Sequence, residues 1–166
     1  FAEEKKSKTF ALLLSSPIHL REIIFGKFLA CMIVMGLMIL LSAYSTGYLI
    51  LVGHPEIGPI ITGYLGILLM TGCYVSMGLF ASSLTDNQII AAVISFGLAL
   101  FMWIIGWGAQ AGGSGLGQLL EYLSLITHLE HFLKGLISSS DLVYYLSFIF
   151  FGLFLTHRVL ESSRWR

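Results

Sequence analysis

The sequence predicts an all-α protein: a polytopic membrane helix bundle of four spans, with a cytoplasmic helix before the first and an amphipathic helix on the outer face. Three observations carry that prediction. The 166-residue chain is 57% hydrophobic and only 11% charged, against roughly a quarter charged in an ordinary soluble domain. Charged side chains are absent between Lys27 and Glu56, between Glu56 and Asp86, between Asp86 and Glu121, and between Asp141 and Arg158. Eight of the nine basic residues fall on one side of the topology that these gaps imply.

Residues 1–22 precede the first gap. A basic cluster, Lys5, Lys6 and Lys8, leads into Phe10 through Pro17, which suits a short amphipathic helix capped near Ser7 or Thr9 and closed before the proline. Such a segment lies along the cytoplasmic face as a juxtamembrane anchor, its lysines near anionic headgroups. Because the chain starts at Phe1 with this cluster close behind, it reads as the later part of a longer protein.

A hydrocarbon layer roughly 30 Å thick is crossed by about 20 apolar residues of helix. Span one is expected over about 23–52. It ends at the breaker cluster of Gly53, His54, Pro55, Glu56 and Gly58. His54 and Glu56 read as turn residues there. Span two follows over about 59–84. A short return through Ser82, Ser83, Thr85, Asp86 and Asn87 makes it an antiparallel neighbour of span three, about 88–107, with Thr85 or Asp86 as the expected N-cap.

Glycine-rich residues 108–117 then lead to 118–137, where apolar side chains recur with helical spacing but Glu121, Glu130 and Lys134 interrupt them. One interfacial amphipathic helix is expected there. Span four, about 142–160, is the shortest and needs Arg158 to extend out to the headgroups, leaving 161–166 as a tail.

Orientation follows from charge. With both ends cytoplasmic, Lys134 alone among the basic residues lies outside, in accord with the positive-inside rule. The expected location is the plasma (inner) membrane. A net charge of zero gives no sign of a nucleic-acid partner.

Motifs for chemistry are sparse. The only Gly-Lys pair, Gly26-Lys27, has Arg21 where a phosphate-binding loop needs its first glycine. Neither a zinc-protease HExxH nor a GxSxG elbow occurs, and no charge sits in mid-span, which disfavours intramembrane catalysis and proton coupling. No catalytic residue and no cofactor is expected in this chain. His128 and His131, with Glu130 beside them, are spaced like two metal ligands without a third, so polar groups of an interfacial helix are the expected reading and no metal is assigned. Cys31 and Cys73 lie inside apolar spans and are expected as small buried thiols rather than as a disulfide. Tyr44 and Tyr48 read as membrane-belt aromatics or, together with Tyr74, as the lining of a translocation path. Ala43 with Gly47, and Gly63, Gly66 and Gly72, allow helices to approach closely.

Two stretches, together with the tail Glu161 to Arg166, also carry a resemblance that covers nearly the whole chain. Glu4, Lys8-Thr9, Leu12-Leu13-Leu14-Ser15-Ser16-Pro17-Ile18, Arg21-Glu22-Ile23-Ile24 and Gly26-Lys27-Phe28 form one; 78–88, from Gly78 to Gln88, forms the other. Together they resemble the cytoplasmic loop and a later segment of type-2 ABC exporter permeases, with the gliding-motility-type branch the nearest and the nitrous-oxide-reductase maturation permeases more distant. Lys8 departs from the family pattern, which has glycine before the threonine.

The resemblance implies six spans, of which this chain would lack two. It implies that Glu4, Lys8, Thr9, Leu12, Leu13, Leu14, Pro17, Ile18, Glu22, Gly26 and Lys27 form a coupling helix and its exit. A separate cytoplasmic ABC ATPase, which holds ATP and Mg, would receive that helix. It further implies a second permease subunit, identical or similar, in contact with membrane lipid, and an external gate around 118–137. The expected function is therefore the permease subunit of an ABC transporter, coupling a partner's ATP hydrolysis to export. The competing reading is a membrane anchor or scaffold that recruits a cytoplasmic partner without moving solute. Lipid-like, peptide and polysaccharide cargo suit the apolar spans equally.

Overall fold

The structure, a computed structural model, describes residues 1–7, 19–53, 55–111 and 115–163. Among these residues there are seven helices and no strand. They are α1 Ala2–Lys6, α2 Leu20–Val52, α3 Ile57–Leu84, α4 Gln88–Ala111, α5 Leu116–Leu123, α6 Leu125–Leu133 and α7 Ser139–Ser163. Four of them, α2, α3, α4 and α7, are long and apolar enough to cross a membrane.

Each boundary has a local cause. At the start of α2 the Glu22 carboxylate accepts from the His19 backbone N–H at 3.2 Å, which satisfies one of the donors a helix N-terminus leaves open. Gly53 closes α2 with its N–H on the Leu49 carbonyl. Pro59 lies in the first turn of α3, where its missing N–H costs nothing. The cap of α4 is neither Thr85 nor Asp86: the Asn87 side chain accepts from the Ile89 N–H at 2.9 Å, and Thr85 Oγ1 accepts from the Asn87 N–H. Asp86 is thereby left to face Lys5.

At 33 residues, α2 is about 50 Å long at ~1.5 Å per residue, well beyond what the hydrocarbon layer needs. Its charged residues, Arg21, Glu22 and Lys27, all occupy the first two turns, so these turns suit headgroup level and the uncharged rest is long enough to span.

Packing centres on α3, which touches α2, α4, α6 and α7. Small residues make that possible. A Cβ on Gly66 would fall 2.8 Å from Phe132 Cβ, and one on Gly72 would fall 2.7 Å from Ile149 Cδ1. On α7, Gly152 meets Ser76 equally closely. Gly63 lies against Leu133, whereas Gly47 on α2 faces open space. Cys73, Met77, Leu125, Phe132 and Tyr145 form one buried cluster, and Phe1, Ile24, Leu79, Leu153 and Leu160 form a second. Cys73 is buried and Cys31 exposed.

Where one outer helix is expected over 118–137, the chain forms two. Ser124 breaks the helix, and its hydroxyl caps α6 by accepting from the Thr127 N–H. A break orphans the last carbonyls of α5, and side chains supply donors to them: Tyr144 Oη donates to Leu123 O at 2.7 Å, and His128 Nε2 lies 3.1 Å from Tyr122 O. The far end of α6 closes in a Schellman turn: Gly135 N–H donates to Phe132 O and Leu136 N–H to His131 O, with Gly135 at φ 81°.

Candidate functional site

The helices gather chemistry at the two ends of the bundle. At the basic end α1 docks across the last turn of α3 and the start of α4. The Ala2 N–H donates to Ser82 Oγ at 3.0 Å. Lys5 Nζ donates to the Ser83 carbonyl at 2.7 Å and sits 3.7 Å from the Asp86 carboxylate. A lysine near a helix C-terminus, as Lys5 is to α3, also opposes the negative end of the helix dipole.

Glu4, one residue earlier, reaches the other way and forms an ion pair with Lys27 on α2. Both side chains are about 30% exposed, 28% for Glu4 and 30% for Lys27. Lys27 Nζ also lies 4.6 Å over the Phe1 ring. Phe1 in turn packs with Ile24, Leu79, Leu153 and Leu160. One five-residue helix is thus tied by consecutive side chains to α2 on one side and to the α3–α4 return on the other.

The segments 1–28 and 78–88, which hold the resemblance, meet here through Ala2–Ser82 and Lys5–Asp86, while Glu4–Lys27 ties the first segment to itself. Of the expected coupling residues, Glu4 and Lys27 are brought together, Glu22 helps to start α2, and Gly26 faces open space. Lys8, Thr9, Leu12, Leu13, Leu14, Pro17 and Ile18 lie outside the described residues, as does His54. The sequence expectation does not include the ties of Lys5, Ser82, Ser83 and Asp86. A signal for the last three is the polar run of the second stretch, which at the end of an apolar span needs partners, and for Lys5 the basic cluster itself.

The opposite end holds a buried carboxylate. Asp141, 2% exposed in the first turn of α7, receives His128 Nδ1 on Oδ1 at 2.6 Å and His131 Nδ1 on Oδ2 at 3.0 Å. His128 stacks on Tyr144 with ring centroids 4.1 Å apart and meets Tyr122 edge-on. The His128 ring lies between two acceptors, the Asp141 carboxylate at Nδ1 and the Tyr122 carbonyl at Nε2. The i, i+3 histidine pair therefore clamps α6 onto α7. Among the described residues no group of three or more His, Cys, Asp or Glu is placed to hold a metal ion.

The three path candidates are dispersed. Tyr44 and Tyr48 lie on the exposed surface of α2, 85% and 66% exposed. Tyr74 instead packs on the cluster around Cys73.

The family model described as ABC-2 family transporter protein matches residues 1–155. The chain belongs to the ABC-2 transporter family. No curated protein and no solved structure matches it. As an ABC-2 family member it is a multi-pass membrane protein and a membrane subunit of an ABC transporter, a class that works with a cytoplasmic ATPase and is not itself catalytic.

Proposed function

We propose that this ABC-2 permease couples a cytoplasmic ATPase to export through the basic end of its bundle, with the coupling loop of residues 1–22 as the docking segment and α2 and the α3–α4 return receiving its motion through α1. One observation carries the reading: Glu4 and Lys5, adjacent on α1, bridge Lys27 of α2 and Asp86 of the return. A push delivered between Ser7 and His19 then reaches two spans at once. It tilts α2, which has only Ile24 buried, as a lever, while α3, gripped by its neighbours, stays as the fulcrum.

The chain ends are cytoplasmic in this scheme, because Lys5, Lys6, Arg21, Lys27 and Arg158 gather at the end where α1 docks. A second permease subunit, identical or similar, faces this one, and cargo passes between them. The paired outer helices α5 and α6 form the external gate, clamped by Asp141. Within the family the gliding-motility-type branch is the nearest in pattern.

Replacing Leu13 and Leu14 by Asp puts charge into the apolar run of the coupling loop. The expected result is loss of co-purification with the ATPase while the permease still inserts in the membrane. Unchanged association would reject the coupling assignment. Association retained together with absence of any ligand-stimulated ATPase activity in the reconstituted wild-type complex would favour the scaffold instead.

A further inference from the structure

We infer that a groove between α2 and α7, at the end where α1 docks, binds one anionic glycerophospholipid of the surrounding leaflet, with its phosphate between Arg21 and Arg158 and an acyl chain along the phenylalanines above them. The inference needs the bundle to sit in a bilayer and does not depend on the coupling assignment.

The groove is a cavity of about 450 Å³, within the ~300–1,000 Å³ range of ligand sites. Its α7 wall is a single helical face, with Phe150, Phe154, His157, Arg158 and Glu161 at spacings of three and four. Arg21 and Phe25, one turn apart, form the opposite wall on α2, and buried Ile24 and Leu153 form the floor.

Polarity is graded along the axis. All the charged groups lie in the first turn of α2 and the last two turns of α7, where a span meets headgroups; the wall deeper in the span is phenylalanine. An amphiphile has the same gradient, and a soluble anion has no use for the apolar half. Phe150 is 70% exposed and Phe25 54% exposed, so the apolar half opens sideways to hydrocarbon.

Charge favours an anionic head. Glu161 accepts from Arg158 Nη1 at 3.4 Å and sits 3.7 Å from His157, while Arg21 forms no ion pair among the described residues. Two guanidinium groups thus face one carboxylate. The Arg158 guanidinium also lies over the Phe154 ring, 5.2 Å from its centroid, which holds it above the apolar wall in place to meet a phosphate.

The test uses the purified protein in detergent, titrated with dioleoyl phosphatidylglycerol or dioleoyl phosphatidylcholine and read by native mass spectrometry. Phosphatidylglycerol is expected to bind the more tightly, and the double variant Arg21→Gln/Arg158→Gln to lose roughly 30-fold in its affinity, as two arginines at an anionic surface predict. Lys134→Gln, at the opposite end, should keep the preference. An unchanged phosphatidylglycerol preference in the double variant overturns the site. So does displacement of the lipid by sn-glycerol 3-phosphate at equal concentration, because the phosphate alone would then account for binding.

A second measurement leaves both arginines in place. In bilayers, the tryptophan introduced by Phe150→Trp, with the parent protein's emission subtracted, should be quenched more by phosphatidylglycerol with brominated chains than by the matching phosphatidylcholine. Equal quenching means that the groove holds no selected lipid, or is covered by a protein helix, and rejects the inference.

Discussion

The two ends of this ABC-2 permease are held by different chemistry. At the far end a buried carboxylate takes two histidines inside a box of tyrosines, and α5, α6 and α7 close around it. At the basic end the ties are partly exposed ion pairs from one short helix; Asp86 of the Lys5 pair is 76% exposed in its side chain. Buried, fully partnered groups resist opening because a lost partner leaves a charge in a poor solvent. Exposed pairs exchange with water at little cost. The first arrangement favours a fixed geometry and the second a changeable one, which suits the proposed input of mechanical work at the end where α1 docks.

The largest expected effect attacks the rigid end. Asp141→Ala removes the partner of both histidines and leaves the buried His128 Nδ1 without one. A cost of roughly 3 kcal/mol or more follows for breaking a buried pair, read as a lower unfolding midpoint in detergent. Asp141→Asn, which keeps one acceptor oxygen, should cost less. A midpoint unmoved by Asp141→Ala would remove the contrast between the ends.

Next in size is Gly66→Leu, also at the far end. Its Cβ would meet Phe132 Cβ at 2.8 Å and Leu129 Cδ1 at 2.9 Å, and the first of these is too close to the backbone to swing away. Overpacking of this kind costs about 1–3 kcal/mol. Gly47→Leu on α2, where nothing lies within 4 Å of the new carbon, serves as the matched control and should not lower the midpoint.

That pair of glycines also shows what was legible in the sequence. Charge-free runs mark the four spans because lipid tolerates no charge, and they identify α2 and α3 equally well. They do not say which span packs against protein, since a leucine facing lipid and one facing a neighbouring helix satisfy the same hydropathy. The glycines at 63, 66 and 72 carried that information for α3, while Gly47 carried none for α2. The break at Ser124 was hidden for a different reason: its carbonyls are rescued by Tyr144 and His128, one of them from a helix that begins fifteen residues later in the chain. The Asp141 clamp was half visible. The i, i+3 histidine spacing is legible, but a carboxylate at the mouth of the next span reads as an ordinary flank until the fold brings it back.

At the basic end the expected effects shrink in stability and move to coupling. Glu4→Lys and Lys27→Glu each replace an attraction by a repulsion across a partly exposed pair, worth about 1 kcal/mol. The charge-reversed double variant should recover most of the loss. The informative readout is the permease-stimulated rate of the partner ATPase: each single variant should reduce it and the double variant restore it. Failure of the double variant to restore stimulation, with the unfolding midpoint recovered, would mean that the pair is structural and that the work stroke takes another route.

The smallest stability effect belongs to Gly26, and its sign is what matters. No atom lies within 4 Å of a Cβ built there, and the residue is inside a regular stretch of α2, so nothing within the described chain requires glycine. Gly26→Ala should stabilise α2 by up to about 1 kcal/mol through helix propensity alone, and Gly26→Leu should be harmless to the isolated permease. If the open surface beside Lys27 is kept for the ATPase, Gly26→Leu will reduce stimulated ATP hydrolysis while the unfolding midpoint stays the same or rises. A rise in midpoint with full stimulation would show that the partner does not touch this face of α2, and the receiver would have to be confined to α1 and the α3–α4 return.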